Sequence, residues 1–123
     1  MIAFNIVFTL LIPFLILLLG IITKKYPPKS INSIIGYRTS RSMINDETWQ
    51  FAQKKCAELW IKYGTVIFLA FSLLCITYFF LDNKIQVIIM LVSEFLQVML
   101  ILASIPIVEK ALKSKFNDDG TLK

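Results

Sequence analysis

The chain has 123 residues, of which 57% are hydrophobic and only 17% charged, with a net charge of +5. A water-soluble domain carries about half apolar and about a quarter charged residues, so this composition excludes an ordinary soluble globule. It contains no histidine, which excludes a histidine base, a histidine metal ligand and a histidine pH switch.

The mean hydropathy of +0.72 is concentrated in three blocks. The first, residues 2–22, is uncharged and about 20 residues long, enough to cross a hydrocarbon core of about 30 Å. It has no basic start and no small-residue cleavage site, so it reads as an uncleaved anchor rather than a signal peptide. Pro13 in its middle is expected to bend the helix or expose a carbonyl. The second block covers residues 63–81 and the third 85–108. Only Asp82, Asn83 and Lys84 separate them, which makes the pair an antiparallel hairpin with Asn83 as the turn residue. Cys56 and Cys75 are 19 residues apart. On one continuous helix that is about 28 Å, too far for a disulfide, so both read as buried small hydrophobes.

Lysine and arginine counts orient the spans. Residues 23–62 carry eight basic side chains and the tail, 109–123, four; the 82–84 turn carries one and the stretch before the first span none. The N-terminus is therefore expected outside. The 23–62 linker and the tail are expected in the cytoplasm. Basic residues at span ends are explained by topology and anionic lipid, and direct nucleic-acid binding is not expected.

The linker starts with Pro27 and Pro28, which end the first helix. Ser30 is expected to cap a short helical turn carrying Ile31, Ile34 and Ile35. Downstream, Asn45 is a plausible N-cap, followed by Asp46 and Glu47 in a first turn that favours carboxylates. Trp49, Ala52, Cys56, Leu59, Trp60 and Tyr63 then form one apolar stripe at helical spacing. This predicts an amphipathic helix at the headgroup level that runs directly into the second span, with Trp49 and Trp60 as anchors. Between the two elements, Arg38, Thr39, Ser40, Arg41 and Ser42 offer donors for a phosphate or carboxylate, and Gly36 permits close backbone approach. The alternative is that Arg38 and Arg41 only contact lipid headgroups and help set topology.

The stretch "IGYRTSRSMINDETWQFAQK", residues 35–54, resembles the signature of the SdpI family of small bacterial membrane proteins. The matching positions are Gly36, Tyr37, Arg38, Thr39, Ser42, Met43, Asn45, Thr48, Trp49 and Ala52, and two spans follow in the family's order. The resemblance implies the compact three-span form of that family. It also implies immunity to a membrane-active peptide, a bacteriocin-resistance role, or signalling through a cytoplasmic regulator. Gly36, Tyr37, Arg38, Thr39, Arg41, Ser42, Asn45 and Trp49 are then the candidate partner-binding residues.

Within the third span, Gln86, Glu94 and Gln97 are expected to share a face, flanked by Ser93 and Ser104. Asn5, Thr9, Thr65 and Ser72 on the other spans are available to meet it. For the glutamines and serines the expectation is interhelical hydrogen bonding. For Glu94 it is a ligand, ion or proton-linked role, because a carboxylate near the bilayer middle is costly and simple bonding does not need one. The sequence holds no nucleophile–base pair, metal-ligand cluster or nucleotide loop, so no catalytic residue, metal or cofactor is assigned. The tail is expected to be a helix that frays after Phe116 and is merely solvated. The reading is an all-α polytopic membrane protein with three transmembrane helices. A homo-oligomer, most simply a two-fold dimer, is expected because three spans bury little surface.

Overall fold

The computed structural model describes residues 1–123 and contains three long helices. They are α1 (Ile2–Lys25), α2 (Asp46–Ile76, continued by a 3-10 turn over Thr77–Phe80) and α3 (Asn83–Lys115). Each is long and apolar enough to cross a membrane. Their outward faces carry large bare side chains, among them Phe4, Leu69, Leu73, Leu91 and Phe95, so acyl chains are the solvent these faces suit. One end of the bundle holds the short link between α2 and α3. The other is basic, with Lys24 and Lys25 in the last turn of α1 and Lys113 and Lys115 in that of α3.

The α1–α2 pair is the most extensive contact, and glycine explains how close it is. A Cβ on Gly64 would lie 2.9 Å from the Leu17 backbone, and one on Gly20 would lie 3.0 Å from the Ile61 backbone. Small residues that let backbones touch are the usual basis of helix association in lipid, where apolar burial supplies no drive.

Pro13 has the predicted consequence. Lacking an N–H, it leaves the carbonyl of Thr9, four residues earlier, without its helical donor. The Gln97 side-chain amide on α3 donates to that carbonyl at 3.0 Å. A helix defect thus becomes an interhelical bond.

Four local expectations change. The turn between α2 and α3 is tighter than predicted: Asn83 and Lys84 belong to α3, and Asp82 caps it by accepting from Ile85 N at 2.9 Å. No helical turn follows Ser30; instead the Asn32 side chain accepts from the amides of Ile34 and Ile35, an Asx turn that competes with helix. The amphipathic stripe of α2 is present at the predicted register and does continue into the span. What covers it is α3: Ala52 and Cys56 form a core with Val108, Leu112 and Phe116, and Trp49 is fully buried. Trp49 is therefore a core residue rather than a headgroup anchor. Finally, the tail folds back. Leu122 pairs with Phe116, Lys123 N donates to Lys115 O, and Gly120 turns at φ +86°.

Candidate functional site at the basic end

Residues 36–45 have no regular secondary structure beyond a turn, yet nearly every polar group in them is held. Gln53, buried on α2, grips Tyr37 twice: its Oε1 accepts from Tyr37 N and its Nε2 donates to Tyr37 O, each at 2.7 Å. This pairing requires Gly36. That residue sits at φ +110°, and a Cβ there would come within 2.7 Å of Gln53 Oε1. Ser42, fully buried, accepts from Thr39 N at 2.8 Å, and its hydroxyl lies within hydrogen-bond reach of the Tyr37 and Thr39 carbonyls. Asn45 and Thr48 form a reciprocal capping box at the start of α2, satisfying two orphan amides at once. Trp49 Nε1 donates to Pro28 O at 2.7 Å and fixes the exit from α1.

The two arginines separate. Arg41 is engaged with carboxylates, 3.2 Å from Asp118 on the tail and 3.9 Å from Glu109 on α3. Arg38 is exposed and meets no carboxylate; only its Nε is used, donating to Asn32 O at 3.2 Å. Tyr37 joins the Arg41 side, its hydroxyl donating to Glu109 Oε1 at 2.6 Å. Partial burial and then that bond raise the Tyr37 pKa above its ordinary value, so the phenol stays protonated and acts as a donor.

Gly36, Tyr37, Arg38 and Thr39 close the floor of a cavity of about 390 Å³ between the three helices at the basic end. Its upper wall is apolar, built by Leu19 of α1, Trp60 of α2 and Ile101 and Ile105 of α3. The volume falls within the range of small-ligand sites. No aspartate or glutamate lines it. Of the predicted residues, these four reach the cavity, whereas Ser42, Asn45 and Trp49 hold the segment's shape and Arg41 faces a shallower hollow with Glu109 and Asp118. The sequence reading missed Gln53, whose polar side chain interrupts the apolar stripe, and the tail contacts. Asn45 Nδ2 donates to Gly120 O at 2.9 Å, and nothing local in the tail announces that partner.

Deeper in the bundle, Gln86 and Gln97 are buried on α3. Asn5 donates to Gln86 Oε1 at 2.9 Å, and Gln86 donates to the Tyr78 and Leu81 carbonyls. Eleven residues at about 100° each bring Gln86 and Gln97 to within about 20°, while Glu94 falls roughly 60–80° aside. Glu94 is accordingly only half buried. Its Oε1, with Asn5 Oδ1 and Gln97 Oε1, is enclosed without a donor. Thr65 and Ser72 do not meet this face; each donates to the carbonyl one turn back on α2. No group of three or more acidic, cysteine or histidine side chains is placed to hold a metal ion.

The profile of the SdpI/YfhL protein family matches residues 29–108, from the residue after Pro28 to Val108 within α3. The chain belongs to this family. It is also similar to the uncharacterized protein YfhL of Bacillus subtilis (strain 168), with 49% identity over 53 residues. That stretch covers 43% of this chain and 48% of the relative, so the match spans about half of YfhL's length. No solved structure matches the chain. Family and helices together make it a multi-pass membrane protein of the SdpI/YfhL type.

Proposed function

We propose that this SdpI/YfhL-family protein is an immunity or sensing protein that protects against, or reports, a membrane-active peptide or a lipid-linked stress. Its recognition point is the cavity at the basic end. The basic end faces the cytoplasm and the N-terminus lies outside, because the surplus of lysine and arginine belongs on the inner side. One observation carries the reading: the family's signature segment forms the floor of a ligand-sized cavity and places there Arg38, a cation with no carboxylate partner. No catalytic step is assigned to it.

The test is survival of a peptide-sensitive bacterial strain expressing the full chain. Wild type and Arg41→Gln protect, and Arg38→Gln at equal membrane abundance does not. Equal killing with and without the wild-type protein removes the immunity reading for that peptide.

A second reading is transport through an oligomeric bundle, favoured by the three enclosed oxygens of Asn5, Glu94 and Gln97 that lack donors. Proton or cation flux in liposomes, abolished by Glu94→Gln, supports it. No flux above empty liposomes removes it.

A further inference from the structure

We propose that the basic-end cavity holds one anionic phospholipid, its phosphate at Arg38 and one acyl chain running up between α1 and α3. The inference deepens the site reading above and rests on it.

The cavity changes character along the membrane normal. Leu19 lies five residues before Lys24, about 7.5 Å further into the bilayer, and Ile101 lies eight residues before Glu109, about 12 Å further in. Both line the upper part, while Thr23, Arg38 and Thr39 line the lower. An apolar shaft above a cationic, hydroxyl-bearing floor at the depth of the interface is the complement of an amphiphile, not of a water-soluble anion. Two residues of its wall, Leu19 on α1 and Ile105 on α3, are 46% and 41% exposed, so the shaft borders lipid at these helices. A membrane lipid can therefore enter laterally without leaving the bilayer.

The floor selects charge. Arg38 keeps both terminal guanidinium nitrogens free of protein partners, and Thr23 makes no hydrogen bond through its hydroxyl. A phosphodiester supplies the acceptors these donors lack, and guanidinium suits it bidentately. The adjoining hollow shares Thr23 and Gln53 and brings Lys24, Lys29 and Lys54 against Glu58 as its one acid. Local potential is thus positive on two sides of that floor. A zwitterionic headgroup would bring an ammonium into this field with no carboxylate in the cavity to receive it.

Trp60 on the cavity wall provides the readout, since bromine on an acyl chain quenches a tryptophan it touches. Trp49 is fully buried elsewhere and gives a constant background. The full chain is reconstituted in phosphatidylcholine vesicles containing a minor fraction of phosphatidylglycerol, with bromine placed on the chains of one lipid and then the other. Wild type is expected to prefer brominated phosphatidylglycerol at equal mole fraction by about tenfold in relative association, as for one charge-assisted hydrogen bond. Arg38→Gln abolishes the preference. Ile105→Phe, which fills the shaft from an already exposed position, lowers quenching by both lipids while far-UV circular dichroism stays unchanged. Equal quenching by the two lipids in wild type overturns the proposal, as does a preference that survives Arg38→Gln. So does loss of the preference on adding inorganic phosphate, which would mark a headgroup-only anion site. Lipid selectivity without peptide protection would leave this inference standing and remove the immunity reading; protection dependent on Arg38 without lipid selectivity would do the reverse.

Discussion

Two polar regions of this small protein solve opposite problems. The 36–45 segment is irregular chain held by side chains that bond its backbone: Gln53 on Tyr37, Ser42 on Thr39 and Thr48 on Asn45, while Trp49 holds the chain upstream at Pro28. The seam inside the bundle is regular helix whose side chains bond across to other helices, and it leaves three oxygens without donors. The first region is fastened except at Arg38 and the exposed Ser40; the second is fastened through its amides and leaves three acceptors open. A free donor beside a cavity points outward to a partner. A free acceptor in lipid raises the question of which proton or cation visits it.

The comparison can be broken first at its largest joint. Trp49→Ala should lower stability by about 3–5 kcal/mol, the usual cost of removing a buried large aromatic, seen as a steep fall in the thermal midpoint of the detergent-solubilised protein. A fall of only a degree or two would mean that the segment is not anchored through α2. Gly36→Ala comes next, at about 1–3 kcal/mol, because it combines a positive φ with a collision against Gln53. Gln53→Ala in the same background should relieve part of that penalty, and a double-mutant cycle measures the coupling.

Tyr37→Phe should cost about 1–2 kcal/mol by removing a donor to the Glu109 carboxylate. The sign with pH follows from the raised pKa of the phenol. The stabilisation is fully present below the unfolded value of about 10 and is lost as pH rises above it. Alkaline titration should therefore narrow the gap between wild type and Tyr37→Phe. A gap that widens above pH 10 would show that the hydroxyl is not held as a donor.

Gln97→Leu sharpens the other half of the comparison. It strips the Thr9 carbonyl of the donor that replaces Pro13's missing amide, and about 0.6 kcal/mol is expected for one such bond in a membrane bundle. Restoring a helical amide with Pro13→Ala should make the Gln97 change nearly neutral. Arg41→Gln should have the smallest effect, about 0–1 kcal/mol, since both its ion pairs are partly or fully solvent-facing.

The sequence made the membrane fold legible because its signals are long and redundant. Block length gives the spans, three intervening residues give the hairpin, and an Asn–Asp–Glu run gives the start of α2. Pro13 could be read as a freed carbonyl, and Gln86 and Gln97 as bundle-facing, from spacing alone. The distinction between Arg38 and Arg41 could not. It depends on a tail that returns from Phe116 to lay Asp118 beside Arg41 and Gly120 beside Asn45, contacts about 75 residues apart in the chain. The placement of Trp49 was misread for a related reason. A tryptophan on an apolar stripe near basic residues suits a headgroup equally well, and nothing in its local sequence announces that the Pro28 carbonyl, 21 residues earlier, returns to receive its buried indole N–H.

Every assignment of partner depends on which side of the membrane carries the signature segment. Ser40 is exposed in that segment, and the two native cysteines are buried, so Ser40→Cys gives one reactive thiol on a silent background. A membrane-impermeant maleimide should leave it unmodified in intact cells and label it fully once the membrane is permeabilised. Full labelling in intact cells would put the Arg38 cavity on the outer surface and contradict the inward-facing site.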